Sequence, residues 1–231
     1  MTHHSFENYL KKYFPDRKYF GLRELDRKIE PYINFDNGYY IELGANDGFK
    51  QSNTLYFERF RNWRGVLIEP VEANYKKCLK TRADDNSIFC NACVSFEYAD
   101  PTVEMRYANL MTTPLNLETD INNPRAHADS GTPYMHVSDT QYDFSAKART
   151  LQSLLEEANA PRIIDFFSLD VEGAEIEVLK GVDHSDFRFS KLLIECRDID
   201  IMTHYLSKNN YELIAKITHH DYLFGDVISS A

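Results

Sequence analysis

Acidic residues stand at the ends of apolar runs in four places along the chain. Glu42 closes Tyr39-Tyr40-Ile41, Glu69 follows Arg64 to Ile68, Asp170 and Glu172 follow Ile163 to Leu169, and Glu195 sits near the end of Lys191 to Cys196. Short apolar runs bounded by turns are the mark of buried parallel strands. In an open α/β sheet, ligands bind outside the carboxyl ends of the strands, so the tips at 42, 69, 170 and 195 are expected to converge on one cleft. One carboxylate buried there could be accidental, but several need a reason. Such a set can accept hydrogen bonds from hydroxyls, hold a positive group, take a proton from a nucleophile or bind a divalent cation.

The first tip narrows the kind of ligand. Glu42, Gly44 and Gly48 make an E-x-G-x-x-x-G pattern, in which glycines let the backbone come close to a bound molecule. The G-x-G-x-x-G spacing that cradles a pyrophosphate is absent, with Asn46 where a second glycine would stand, which speaks against a nicotinamide oxidoreductase. Glu42 would also repel phosphate. S-adenosylmethionine, with its sulfonium, amino group and ribose hydroxyls, fits better. Glu69 lies where mononucleotide-binding units place their ribose-binding acid, about 25 residues after the first tip; its carboxylate can accept from both ribose hydroxyls, and Pro70 stiffens the turn that presents it. Asn91 and Ala92 would border the adenine. Asp170 and Glu172 should project into the same cleft. Asp170 is the first choice to take a proton from an acceptor, Glu172 and Glu195 are second choices, and a divalent cation held by these acids is the less favoured alternative.

The elements that must position these residues alternate. A leader from His3 to Tyr32 has apolar residues at helical spacing (Phe6, Tyr9, Leu10, Tyr13, then Leu22, Leu25, Ile29) and predicts two short helices broken near Phe14-Pro15; it would cover one side of the cleft or make a dimer contact. After the first strand, Ser52 to Glu58 reads as a helix capped by Ser52 or Asn53, its amino terminus facing the ligand. A strand at Arg64 to Ile68, a helix at Asn74 to Arg82, and a third strand with its exit loop at Ser87 to Ser95 follow. Val103 to Tyr107 reads as an extra strand. The polar, weakly periodic stretch from Ala108 to Lys147 is long for a bare connection and reads as a substrate lid, with Tyr134, His136 and Tyr142 placed to meet a sugar. A helix at Leu151 to Ala158, strands at Ile163 to Leu169 and Lys191 to Cys196, a helix at Ile199 to Asn209 and a final hairpin (Tyr211 to Ile217, Tyr222 to Ile228) complete one α/β domain over residues 1–231, with a helical leader over 1–36 and an insert over 108–148.

Composition bounds the partners. With 43% hydrophobic and 27% charged residues among 231, the chain is ordinary for a globular domain. Its formal charge of −10, from 26 basic and 36 acidic residues, argues against nucleic acid or an anionic membrane surface as partner. No apolar run reaches membrane-spanning length and Met1 to Leu10 lacks the core of a signal peptide, so a cytoplasmic location is expected. The four cysteines (Cys78, Cys90, Cys93, Cys196) are too few and scattered for a disulfide framework, and Cys90-x-x-Cys93 has no second pair to complete a zinc site.

The chain resembles the FkbM-type S-adenosylmethionine-dependent methyltransferases. The resemblance rests on Tyr40 to Gly48, Ser52-Asn53-Thr54, Trp63 to Pro70, Asn91 to Val94, and Ile164 to Glu175 with its Asp170-Val171-Glu172-Gly173. It covers roughly Phe20 to Ala99 and Thr150 to Phe224. Ser168 departs from the lysine that many relatives carry before the D-x-E-G acids. The resemblance implies a Rossmann-like seven-stranded class I methyltransferase sheet, mostly parallel with the last strand antiparallel and helices on both faces. It implies cofactor contacts along Glu42, Gly44, Ala45, Asn46, Asp47, Gly48, Ser52, Asn53, Glu69, Pro70, Asn91, Ala92 and Asp170. It also implies methyl transfer to oxygen of a sugar, glycan or natural product. A binding module without catalysis, or a protein acceptor, are the alternatives.

Overall fold

A computed structural model describes residues 3–135, 137 and 139–228, apart from the side chain of Tyr134. His136 and the Tyr134 side chain, both named above as sugar contacts, lie outside what is described.

The apolar runs form the centre of a seven-stranded, mostly parallel sheet. Its strands are β1 (Tyr39–Leu43), β2 (Arg64–Ile68), β3 (Ser87–Phe89), β8 (Ile163–Leu169), β9 (Arg188–Glu195), β10 (Tyr211–Lys216) and β11 (Asp221–Asp226). The order across the sheet is β10-β11-β9-β8-β1-β2-β3. Strands β1, β2, β3, β8 and β9 pair in parallel, while β11 runs antiparallel to both β9 and β10. The mixed α/β class and the final hairpin are as the sequence indicated.

Side-chain alternation puts the two faces to different uses. Ile41, Leu43, Val66, Ile68, Phe167, Leu169, Leu192 and Ile194 pack with α6 (Leu151–Glu157), α7 (Glu175–Leu179) and α8 (Ile199–Lys208). Tyr40, Leu67, Phe166 and Leu193 face the other way, onto α3 (Leu55–Arg61), Cys78 of α4 (Glu72–Thr81), and Leu25 and Ile29 of α2 (Leu25–Ile29) in the leader. Both faces are therefore covered, as a parallel sheet requires. The leader opens with α1 (His3–Tyr13), which buries Phe6 and Leu10 and stops before Pro15.

Register decides where the tips fall. Leu43 pairs with Ile68 on one side and Leu169 on the other, and Leu169 pairs with Ile194. Gly44, Glu69, Asp170 and Glu195 are each the next residue, so they form one row along the carboxyl edge of β1, β2, β8 and β9.

The exit loop expected after the third strand is itself partly a strand: β3 ends at Phe89, and β4 (Ala92–Val94) leaves to pair with β7 (Tyr142–Thr150) in a second, four-stranded sheet of order β4-β7-β5-β6, where β5 is Thr102–Tyr107 and β6 is Thr113–Pro114. Asn91 marks the change of direction, donating from Nδ2 to the Lys147 carbonyl at 3.2 Å. The stretch 108–147, too long to be expected as a bare connection, holds regular structure. β7 runs antiparallel to β5 (Thr102–Tyr107) from Tyr107↔Tyr142 to Thr102↔Lys147, and β6 (Thr113–Pro114) and α5 (Pro124–Ser130) lie between them. Its period-2 signal is weak because β7 buries little on either face. The expected helix at 52–58 begins later, as α3, although Ser52 Oγ does accept from the Thr54 and Leu55 amides at 3.3 and 3.1 Å.

Candidate functional site

Above the row of tips lies a cleft of ≈ 530 Å³, within the ~300–1,000 Å³ typical of cofactor sites. Of the residues expected to line it, Glu42, Gly44, Ala45, Asn46, Ser52, Asn53, Glu69, Pro70, Asn91, Ala92, Asp170, Glu172 and Glu195 do so. Asp47 and Gly48 do not. The Asp47 carboxylate accepts from the Phe49 and Lys50 amides at 3.1 and 2.8 Å and so holds the turn, while Gly48 lies against Thr81 and Arg82. Tyr142 is also absent from the lining; it is exposed and stacks on Tyr107 with ring centroids 4.9 Å apart.

The loop after β1 is shaped by its neighbours. Gly44 has φ +87°, and a Cβ there would lie 1.9 Å from the carbonyl oxygen of Asp170, so no other residue permits the tips of β1 and β8 to meet so closely. Glu69 is 5% exposed and accepts from the amides of Asn46 (2.8 Å) and Val71 (2.9 Å), with no cation bonded to it among the described residues. Burial outweighs those hydrogen bonds and pushes its carboxyl up to about 7. Each oxygen of that carboxylate keeps capacity for a further donor.

Glu42 lines the cleft and is also held firmly within the loop. One oxygen accepts from Ser52 Oγ (2.9 Å), Thr54 Oγ1 (2.7 Å) and Arg82 Nη1 (2.9 Å), and the other from the Asn53 amide (2.8 Å). It reaches the cleft wall, but its charge is spent on bracing the loop against a fully buried arginine. Arg82 also binds Glu58 through Nε (2.7 Å), and the Tyr40 hydroxyl and Thr54 Oγ1 through Nη2 (2.7 and 2.8 Å). Burial alone would raise the Glu58 carboxyl; Arg82, with bonds from Tyr40 and the Ala83 amide, instead holds it below its ordinary value.

On the other side of β1, oxygens of Asp170, Glu172 and Glu195 lie within 4.8 Å of one another. Surrounding protein and repulsion from Glu195 and Glu172 both raise the Asp170 carboxyl well above the usual carboxylate range. The open cleft admits solvent to Asp170, so repulsion is the larger part. The Glu195 carboxyl is raised by burial, against an opposing bond from Asp170. The two carboxyls therefore interact directly, and both lie above their ordinary values. Arg197 steadies the group, with Nη2 3.1 Å from Glu172 and 3.8 Å from Glu195, and His127 Nε2 of α5 lies 2.6 Å from the same Glu172 oxygen. Glu175 accepts from the Val171 and Gly173 amides (3.0 and 3.1 Å) and fixes the turn that carries these acids; burial pushes it up to about 8.

The rim comes from outside the sheet. Leu22, Arg23 and Leu25 of the leader, Asn109 to Thr112 and His127 of the insert, and Thr218 to Asp221 of the last hairpin all line the cleft. Arg23 (φ 51°, ψ 36°) and Glu24 (φ 58°, ψ 43°) are consecutive left-handed residues, a conformation costing roughly 1–3 kcal/mol each outside glycine. Arg82, Arg197, His127 and Arg23 were not singled out from sequence. Each lies in a polar stretch and gains its meaning from residues far along the chain.

A mostly parallel α/β sheet that carries a row of acidic tips to one cleft is consistent with an α/β domain of Rossmann-like type. The family described as methyltransferase FkbM domain matches residues 42–224, most of the chain, and the protein belongs to that family. It is a methyltransferase on that ground. No curated protein matches the chain. Among the described residues no helix is long and apolar enough to cross a membrane.

Proposed function

We propose that the chain is an S-adenosylmethionine-dependent O-methyltransferase built on a class I sheet, acting as one domain on a hydroxyl of a sugar, glycan or similar small molecule. The observation that carries this is the placement of Glu69 and Asp170 in one row, two strands apart across β1, with Glu195 one strand beyond. Two strand spacings are about 10 Å, a span that suits a nucleoside at one end and its sulfur substituent at the other. The residues fit the cofactor in further ways. Gly44 keeps the loop backbone clear of side chains, Glu69 offers a carboxylate with spare acceptor capacity, and Asn53 Oδ1 is buried without a partner at the cleft wall.

In this reading Glu69 accepts from the ribose hydroxyls, Pro70, Asn91 and Ala92 flank the base, and Gly44 to Asn46 with Ser52 and Asn53 wall the amino-acid end. The cofactor, when bound, supplies a methyl group made electrophilic by the sulfonium. The chain's part is to hold the acceptor oxygen in line, which is worth roughly 7–11 kcal/mol when the geometry is right, and to take its proton. The ionised member of the Asp170–Glu195 pair accepts that proton; general-base help of this kind contributes about 10²–10⁴-fold. Glu172 is better placed to hold Arg197 and His127 than to act as base. Arg197 already supplies positive charge to Glu172 and Glu195, so the reading does without a divalent cation there. The leader and the 108–148 insert act as covers, the insert as the acceptor's lid.

The test is mass spectrometry of glycan and small-molecule hydroxyl panels incubated with the purified chain and methyl-labelled S-adenosylmethionine. Label on an acceptor oxygen is the expected result. Binding of S-adenosylhomocysteine with no transfer to any acceptor would instead make the chain a binding module.

A further inference from the structure

S-adenosylmethionine carries a carboxylate as well as a sulfonium, and the acidic floor of the cleft suits only the second. A carboxylate drawn into a half-enclosed site needs a cationic or N–H partner. Arg197 is engaged by Glu172 at 3.1 Å. Among the described residues of the lining, Arg23 and Lys50 are the arginine and lysine whose side chains make no ion pair. Both stand on one wall, because a parallel bridge between Gly21 and Gln51 lays the leader beside the loop that runs on to Asn53. A Cβ at Gly21 would lie 2.7 Å from Asn53 Oδ1, so the close approach depends on a glycine.

The leader is arranged to leave Arg23 free. Glu24 pairs with Arg27 at 2.9 Å, and the buried Asp26 carboxylate accepts from the Phe20 and Arg27 amides at 2.6 and 3.1 Å. The left-handed turn at Arg23 and Glu24 is held by the Glu24 amide donating to the Gly21 carbonyl at 3.0 Å, and by the buried Leu25 and Ile29 behind it. An unfavourable backbone kept in place around an unpaired arginine at a cleft is an arrangement seen at ligand clamps.

We propose that Arg23 clamps the α-carboxylate of the methyl donor, with Lys50 adding positive charge beside it. The inference rests on the cofactor reading above and extends it, since Arg23 precedes the 42–224 span matched by the family; the leader then completes the donor site. A planar guanidinium can meet a carboxylate through two parallel hydrogen bonds, which a lysine cannot do.

Calorimetric titration of the full chain with S-adenosylhomocysteine and with 5′-methylthioadenosine, which keeps the nucleoside and thioether but lacks the carboxylate, separates the outcomes. Arg23→Ala is expected to weaken S-adenosylhomocysteine about 10- to 100-fold and to leave 5′-methylthioadenosine unchanged, with Arg23→Lys recovering part of the loss. Equal weakening of both ligands would mean that the wall has merely collapsed. No change in either, with a raised KM for the acceptor, would assign Arg23 to an anionic acceptor group. Either result overturns the proposal. If wild-type protein binds neither ligand, the cofactor reading itself fails.

Discussion

Replacing Arg82 should expose how much of the donor loop depends on one buried cation. Its guanidinium is fully buried between Glu42 and Glu58, whose side chains are each only 6% exposed. Breaking a buried ion pair by removing one partner costs about 3–5 kcal/mol, because the remaining charge stays buried and uncompensated. Arg82→Met strands two carboxylates, so the upper part of that range is expected. For a chain of this size, each kcal/mol lowers Tm by about 2–4 °C, which gives a loss of roughly 10–20 °C. The pH dependence has a definite sign. In the wild type the Glu58 carboxyl is held below its ordinary value, so its contribution is present above the unfolded pKa, near 4.5, and is lost as pH falls through the folded value. In the variant the burial of Glu58 is no longer offset by Arg82 and raises its carboxyl instead, so the deficit should be largest at pH 7 and shrink toward pH 4 as Glu58 protonates. Urea unfolding followed by circular dichroism at the two pH values measures this directly. A deficit below about 1 kcal/mol at pH 7, or one that does not shrink on acidification, would refute the bracing role. Adding Glu42→Gln and Glu58→Gln to Arg82→Met should recover part of the loss.

Three further outcomes are expected. Asp170→Asn should bind S-adenosylhomocysteine within a few-fold of wild type and lose turnover by about 100-fold or more; a near wild-type rate would place the base elsewhere. Glu69, pushed up to about 7 in the free protein, should ionise when ribose hydroxyls donate to it, so S-adenosylhomocysteine affinity should fall about tenfold per pH unit below 7. Calorimetry across pH 5.5–8 should show this slope, and Glu69→Gln should abolish it as well as weaken binding. Gly44→Ala places a Cβ 1.9 Å from the Asp170 carbonyl in a left-handed backbone; it should cost more than ~1 kcal/mol of stability and remove cofactor binding, seen as loss of the thermal shift given by S-adenosylhomocysteine.

The strand tips were legible because each follows an apolar run and the sheet register aligns their ends. Ile68, Leu169 and Ile194 needed only correct lengths to bring Glu69, Asp170 and Glu195 into one row. What escaped depends on contacts between residues distant in sequence. Arg82 ends α4 in a run of charged residues, and its burial follows from Glu42 and Glu58, 40 and 24 positions away. Nothing local reveals that Ser52, Asn53, Thr54 and Arg82 all bond Glu42. Asp47 and Gly48 share the loop but turn to its far side, which spacing alone does not distinguish. β4 reads as the exit loop of β3 because the Asn91 side chain, not a glycine or proline, marks the change of sheet. The hairpin of β5 with β7 spans the polar insert, so its pairing has no local signal.

The central claim is that the row from Glu69 to Asp170 holds a single methyl donor. A crystal structure of the chain with S-adenosylhomocysteine tests it most directly. Ribose hydroxyls are expected about 3 Å from the Glu69 carboxylate, with the thioether sulfur facing Asp170 and Glu195. Adenosine seated away from Glu69, or a sulfur on the far side of β1 from Asp170, would contradict it.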